Sequence, residues 1–354
     1  MVIYHILGAD IPHHNRTLLA FFQEMRLAEW GEQSLFYVVS QDDLAVAFPA
    51  LSIRRFAGKM QLAKAVIEAA KSQPQAKFVL HGQFNFPLWL AILCGRLPGE
   101  RCAWHVWGAD LYEHSTAWRF RLAYPIRRAA QRKIAQIWAT RGDLQFSHSL
   151  LKRKGDQDQL LYFPSKMPPA LPQQSEERSK LTILLGNSGD SANRHLQGLD
   201  DIHRQFGSQV RVIIPMGYPV QNHAYVEAVA AHSKRLFPAE NVQILTQKLA
   251  FEAYLAILAQ CDVGLFLFKR QQGIGTICAL LAMNIPVVLA KENPFCVDMQ
   301  AEQIPFLFSG CVNRAAIQAT NQQLAALDKG HIRFFPPNYL PLWRHCLANW
   351  ANAA

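Results

Sequence analysis

Short apolar runs alternate along the chain with longer stretches in which apolar residues recur at helical spacing. Val2 to Leu7 is the first run; a polar cluster, Gly8-Ala9-Asp10-Ile11-Pro12-His13-His14-Asn15, separates it from an expected helix near 16–29. Residues 35–39 read as a second strand, 51–56 as a weaker third, and 60–72 as a helix. Lys77 to Leu80 then leads into His81-Gly82-Gln83-Phe84-Asn85, Arg101 to Val106 into Trp107-Gly108-Ala109-Asp110, and Ile134 to Ala139 into Thr140-Arg141-Gly142-Asp143. Strands that alternate with helices in this way build a parallel sheet covered on both faces. Ligands of such sheets collect at the carboxyl ends of the strands. Asp10, His13, His14, His81, Asp110, Arg141 and Asp143 fall at those ends. A plain turn is polar and Asp is an ordinary cap, but a plain turn does not repeat His, Asp and Gly at successive strand ends.

Residues 164–180 are rich in Pro, Ser, Gln and charge and read as a linker. A second strand–loop–helix series begins beyond them. Leu181 to Leu185 enters Gly186-Asn187-Ser188-Gly189-Asp190, and Val210 to Ile214 enters Pro215-Met216-Gly217-Tyr218-Pro219. Val242 to Leu245 precedes Leu249 and a helix over 251–260. Cys261 to Leu267 reads as a buried strand that enters Phe268-Lys269-Arg270-Gln271-Gln272-Gly273-Ile274-Gly275-Thr276, then a helix over 277–283 and a strand over 286–289. The expected organisation is therefore a first domain over 1–163, a linker over 164–180, a second domain over 181–335 and a closing helix within 336–354.

Two glycine loops at strand-to-helix junctions of one domain suit a diphosphate. The unpaired N–H groups and dipole of a helix start favour an anion, and Arg270 or Lys269 would neutralise it. Neither loop has the GKS/GKT ending of a nucleotide triphosphate loop or the GxGxxG of a dinucleotide loop. No His, Cys, Asp or Glu spacing points to a metal. On the first domain, His13, His14 and His81 titrate near neutrality, and Asp10 or Asp110 is placed to take a proton.

Composition narrows the partners. The 354 residues are half hydrophobic and 18% charged, enough for two cores. No apolar run reaches membrane-spanning length, and the N-terminus reads as a strand and not as a signal peptide. Seven scattered cysteines without a CxxC pair point to buried, reduced thiols. Of the formal charge of +10, residues 1–165 carry +7, from 20 Lys/Arg against 13 Asp/Glu. No acid lies between Glu113 and Asp143, where Arg119, Arg121, Arg127, Arg128, Arg132, Lys133 and Arg141 fall. A helix expected from Pro125 to about Gln136, with Trp118, Phe120 and Tyr124 before it, suits contact with anionic lipid or an anionic substrate. No RNP-like strand, zinc finger or helix-turn-helix pattern supports nucleic acid.

Six stretches carry a resemblance: Ile11–Arg16, His81–Asn85, Trp107–Tyr112, Gly186–Asp190, Pro215–Pro219 and Arg270–Thr276. Over essentially its whole length the chain resembles the bacterial TDP-N-acetylfucosamine:lipid II N-acetylfucosaminyltransferases, the 4-alpha-L-fucosyltransferase family of enterobacterial common antigen synthesis. The resemblance implies an α/β GT-B glycosyltransferase, with two Rossmann-like doubly wound domains facing a central cleft. It implies transfer of 4-acetamido-4,6-dideoxy-D-galactose from dTDP to an undecaprenyl-diphosphate-linked disaccharide, peripherally at the cytoplasmic face of the inner membrane. No cofactor is expected, since helix dipoles and Arg270 stand in place of a divalent ion. Gly186, Asn187, Ser188, Gly189, Gln272, Gly273, Ile274, Gly275 and Thr276 would grip the diphosphate; Met216 and Gly217 would also bind the donor, and Tyr218 or Leu249 would lie near thymine. Many GT-B members have two glutamates flanking the loop that matches Arg270–Thr276, whereas here Arg270 and Cys278 lie near those places. Donor-sugar contacts accordingly rest on Gln271 and Gln272. The alternatives are a GT-B enzyme of another surface polysaccharide and a non-catalytic nucleotide-sugar-binding protein.

Overall fold

The computed structural model describes residues 2–25, 33–115, 117–168, 171–172, 180–218 and 222–352. Most of the expected linker (169–170 and 173–179), the end of the first expected helix (26–29) and Pro219 lie outside the described residues. The chain divides into two compact units, Met1–Ser165 with Pro336–Ala354, and Lys166–Phe335.

In the first unit the order is β1 (Val2–Leu7), α1 (Pro12–Glu24), β2 (Gln33–Val39), α2 (Leu44–Ala47), β3 (Ser52–Phe56), α3 (Lys59–Ser72), β4 (Lys77–His81), α4 (Phe86–Leu93), β5 (Cys102–His105), α5 (Trp118–Gln131), β6 (Gln136–Ala139), α6 (Arg141–Leu151) and β7 (Gln159–Leu160). Its sheet runs β3-β2-β1-β4-β5-β6-β7, and each pairing is parallel. β1 is central, so its residues after Val2 are all buried. Tyr4 packs edge-on against Tyr37 at 5.1 Å and stacks with Phe78 at 5.3 Å. Leu62, Ala63, Val66, Ala69 and Ala70 of α3 form a buried stripe at helical spacing. Burying a Leu or Val of such a stripe contributes about 2 kcal/mol.

The second unit continues with β8 (Thr182–Leu185), α7 (His195–Phe206), β9 (Arg211–Pro215), α8 (His223–Leu236), β10 (Val242–Leu245), α9 (Phe251–Leu258), β11 (Val263–Phe266), α10 (Ile274–Ala282), β12 (Val287–Leu289), α11 (Phe295–Ala301), β13 (Leu307–Phe308) and α12 (Arg314–Ala326). Its parallel sheet has the order β10-β9-β8-β11-β12-β13. Counted from its own first strand this is 3-2-1-4-5-6, the order that the first unit also follows before adding β7. The last helix, α13 (Leu340–Asn352), belongs to the first unit and buries Trp343 and Trp350 there.

Three helix starts differ from the sequence expectation. α1 begins at Pro12, whose fixed φ and missing N–H suit a first turn, so His13 and His14 are helical and not loop residues. α10 begins at Ile274, which brings Gly275 and Thr276 into its first turn. α5 begins at Trp118 and not at Pro125, which lies inside it. A proline ring costs an interior helix the hydrogen bond to the carbonyl four residues back, here Arg121. Both residues are exposed, and water can take up that carbonyl.

Candidate functional site

Strand order fixes where a doubly wound sheet opens to a ligand: between the two strands from which the connections diverge. In the second unit these are β8 and β11, and the Gly186 N–H donates to Leu265 O (2.9 Å) to lay one loop against the other. Gly186 and Gly273 both have left-handed φ, 71° and 66°. A Cβ on Gly186 would lie 2.8 Å from Asn193 Oδ1 and from His195 Nε2, and one on Gly273 would lie 2.9 Å from Asn187 Cγ. Glycine is therefore required at both places by conformation and by space. Buried Asn193 ties the first loop down. Its Oδ1 accepts the Asn187 N–H (3.1 Å), and its Nδ2 donates to Ser188 O (3.0 Å) and Asp190 O (3.1 Å).

Adjacent strand ends complete a continuous row of loops. The Gly189 N–H donates to Tyr218 O (2.6 Å), and a Cβ on Gly217 would fall 2.3 Å from the Gln247 backbone. Arg270 Nη2 donates to Asp190 Oδ2 (2.6 Å) and its Nε to Gln272 Oε1 (3.1 Å). The Gln272 amide reaches Asn187 Oδ1 and Ser188 Oγ, each at 3.4 Å. Gly273 caps α10 without a side-chain bond, so the first-turn N–H groups lack the carbonyl partners that later turns provide. An arginine, helix-start amides and two glycine loops thus meet, a constellation that holds phosphate oxygens.

Not every residue expected here presents its side chain. Met216, Ile274, Gln271 and Thr276 are buried, and Thr276 meets Tyr254 OH at 3.1 Å. The apolar side chains of the first two point inside, so only their backbone is left to contact a ligand. Tyr218 and Leu249 are exposed. Lys269 pairs with Glu292 at 2.8 Å, leaving the arginine as the loop's cation.

In the first unit the corresponding opening lies between β1 and β4. Asp10 and His13 are exposed there, while His14 is half-buried, stacked on Trp107 at 5.0 Å. Burial, and secondarily His13, lowers the His14 pKa to about 4. His81 and Asp110 have interior positions, a correction to the expectation that they face a substrate. His81 is 1% exposed and lies between His5 (3.0 Å) and His105 (3.1 Å) in a buried row of three imidazoles. Burial and those two neighbours push its pKa well below the usual value, and burial takes His5 and His105 to about 3. Asp110 accepts from Trp104 Nε1 (2.7 Å), Gln83 N (2.9 Å) and Trp107 N (2.9 Å), so its carboxylate fastens three segments together. Burial raises its pKa against those bonds.

The basic block is also largely committed within the unit. Arg127 Nη2 donates to Leu111 O (2.8 Å), Arg128 meets Glu113 at 3.3 Å, Arg132 donates to Leu151 O (3.1 Å) and Lys133 to Leu93 O (2.7 Å). Arg119 and Arg121 are exposed on α5, beside exposed Trp118, Phe120, Leu122 and Ile126. Among the described residues no helix is long and apolar enough to cross a membrane. Nor is any group of three or more His, Cys, Asp or Glu placed to hold a metal ion. None of the seven cysteines forms a disulfide, and five are buried.

Comparison with known proteins gives the family and the fold. The family of 4-alpha-L-fucosyltransferases, glycosyl transferase group 56, matches residues 1–352. The chain belongs to that family. Its fold is GT-B. Anabaena HepE in complex with UDP-glucose is similar at a TM-score of 0.66 and 14% identity, covering 99% of each chain. Sucrose-phosphate synthase of Thermosynechococcus elongatus is similar at 0.60 and 12% identity, over 99% of this chain and 97% of the other. An alpha,alpha-trehalose-phosphate synthase from Burkholderia vietnamiensis gives 0.59 and 10%, over 100% of both chains. The protein is therefore a hexosyl-transferring enzyme of the fucosyltransferase family.

Several residues of this fucosyltransferase-family site escaped the sequence reading of candidate contacts. Asn193, Asp190 and His195 shape the first loop, and His5 and His105 flank His81. His195 Nδ1 lies 3.2 Å from Tyr225 OH, while its buried Nε2 has no hydrogen-bond partner. The polar loop after β8 is visible in the sequence, but its inward-facing members are not. His5 and His105 sit within apolar strands, where the sequence offers no signal that three imidazoles meet.

Proposed function

We propose that this fucosyltransferase-family enzyme moves 4-acetamido-4,6-dideoxy-D-galactose from its dTDP donor to the undecaprenyl-diphosphate-linked ManNAcA–GlcNAc disaccharide of enterobacterial common antigen synthesis. The observation that carries the donor half is the pair of glycine loops joined through Arg270, Gln272 and Asn187 at the opening between β8 and β11. Family membership and the UDP-glucose of the HepE complex support a nucleotide-sugar donor. The sugar and acceptor follow the family resemblance.

In this reading the acceptor hydroxyl oxygen attacks the anomeric carbon, and the bond from that carbon to the phosphate oxygen breaks. Asp10 or His13, the exposed groups at the end of β1 and the start of α1, takes the hydroxyl proton. The departing diphosphate gains negative charge, which the α10 amides and Arg270 stabilise. Gln272 and Gln271 lie towards the donor sugar, Tyr218 and Leu249 towards thymine. The exposed aromatic and cationic side of α5 rests on the anionic cytoplasmic face of the inner membrane, as a peripheral protein meeting a lipid-linked acceptor would.

Incubating the purified protein with the dTDP-sugar and the lipid-linked disaccharide, with and without a chelator, tests this by mass spectrometry. The expected product is the acceptor extended by one acetamido-dideoxyhexose, in equal yield in both arms. An unaltered acceptor, or turnover with a different nucleotide-sugar only, would overturn the assignment. Loss of product with chelator would overturn the placing of charge stabilisation on Arg270 and the helix start.

A further inference from the structure

Asp190 is the acid bonded to the arginine of the loop that would take a diphosphate, and a carboxylate is not what such a site needs for attraction. Its geometry points to another role. The carboxylate is fixed at one oxygen, where Oδ1 accepts the Ala192 N–H at 2.8 Å as the cap of a short turn. Its main-chain oxygen accepts from Asn193 N at 3.0 Å and from Asn193 Nδ2 at 3.1 Å. The other carboxylate oxygen, Oδ2, is thereby held still, and Arg270 Nη2 donates to it at 2.6 Å.

A guanidinium has two hydrogen-bonding edges that each match an oxyanion. The edge formed by Nε and Nη2 is occupied here, by Gln272 Oε1 at 3.1 Å and by Asp190 Oδ2. Nη1 has no acceptor among the described residues, so the end-on edge that it shares with Nη2 stays open to a pair of phosphate oxygens. A free arginine loses rotamer freedom when it binds, and one already held on its first edge loses less.

We infer that Asp190 is a positioning residue: with Gln272 it clamps one edge of Arg270 so that the other edge is presented to the donor diphosphate. The inference rests on the reading of these loops as the diphosphate site. A carboxylate that merely filled an empty anion site would act in the opposite sense, because it would compete with phosphate for the guanidinium and repel it.

Asp190→Asn separates the two roles. The asparagine oxygen can still accept from Ala192 N, so the turn keeps its cap, but the charge-assisted bond to Arg270 is lost. The measurement is dTDP binding by calorimetry for four proteins: wild type, Asp190→Asn, Arg270→Met and the double variant, each with its unfolding midpoint. The expected result is roughly tenfold weaker dTDP binding for Asp190→Asn, the size of one lost charge-assisted bond. In the Arg270→Met background the same change has no effect, because the two act as one unit. Midpoints stay level. Tighter binding by Asp190→Asn would show a competing anion and overturn the inference, as would an equal loss in the Arg270→Met background. A wild type that binds while Asp190→Asn binds equally well sinks this inference alone. A wild type that binds no dTDP sinks the diphosphate site and this inference with it.

Discussion

The two units share one strand order and use its opening in different ways. At the end of β8 and β11 the chain places glycines with left-handed φ, an arginine and unpaired helix-start amides. At β1 and β4 the equivalent polar residues turn largely inward, with His5, His81 and His105 in a buried row and Asp110 holding Gln83, Trp104 and Trp107 together. Even the glycine there serves packing: Gly82 has φ 52°, and a Cβ would fall 2.1 Å from the Trp107 ring. Topology therefore supplies a place for a ligand but does not oblige the side chains to keep it open. In the second unit small residues keep the backbone accessible, whereas in the first aromatic rings and imidazoles fill the face, leaving exposed Asp10 and His13 at the rim.

Acid distinguishes the units most strongly. A histidine whose folded pKa is depressed is neutral in the native state and takes up a proton on unfolding, so stability is full above about pH 6.5 and falls as pH drops towards the folded value. His5 and His105, held to about 3 by burial, each remove about 2 kcal/mol at pH 5, and His81 acts in the same direction. The second unit has His195, lowered to about 4 by burial, as its one comparable group. All eight tryptophans belong to residues 1–165 and 336–354, so their fluorescence reports the first unit alone. Urea unfolding at pH 7 and pH 5 should show a larger loss when followed by tryptophan, which reports the first unit, than when followed in the far ultraviolet, which averages over both units. Equal losses would erase the contrast.

Glycine substitutions sharpen it next. Gly82→Val combines a left-handed φ with a clash against a ring, and should cost the first unit about 3 kcal/mol or more. The tryptophan-monitored transition checks this. Gly273→Val meets Asn187 and an unfavourable φ in a loop, so its main effect is functional: roughly 100-fold slower transfer through a displaced diphosphate, with the tryptophan transition unchanged. If both variants lowered activity and first-unit stability alike, the assignment of one opening to packing and the other to a ligand would fail.

The smallest effect is expected at α5. Arg119→Ala with Arg121→Ala should weaken retention on anionic vesicles several-fold at low salt, since each cation near such a surface contributes about 1 kcal/mol or less. Lys133→Ala, whose ammonium is held by Leu93 O, should change it little. Co-sedimentation at two salt concentrations compares them. A larger loss for Lys133 would return the membrane contact to the whole basic block.

Much of the architecture was legible because it follows from short-range periodicity. The strand–helix alternation and the glycine loops of the second unit follow from local composition. Errors arose where one local rule met another. Pro125 resembled a helix start, yet α5 runs through it, because the apolar and tryptophan-containing residues before it are also good for a helix turn and the proline lies at the surface. His81 resembled a strand-end catalyst, yet its neighbours across the sheet are His5 and His105, a pairing that no spacing along the chain announces.

The sequence by itself determined the longer strands, though not the two-residue β7 and β13; it also determined where glycine frees the backbone and that an arginine stands next to one such loop. Only the tertiary structure decided that Asp190 and Arg270, 80 positions apart, are bonded, and that the polar ends of β4 and β5 face inward. The reason is one of range. Backbone conformation and hydrophobic periodicity are settled within a few residues, whereas the order of parallel strands, and with it the company each side chain keeps, is set by non-local burial of both sheet faces at once.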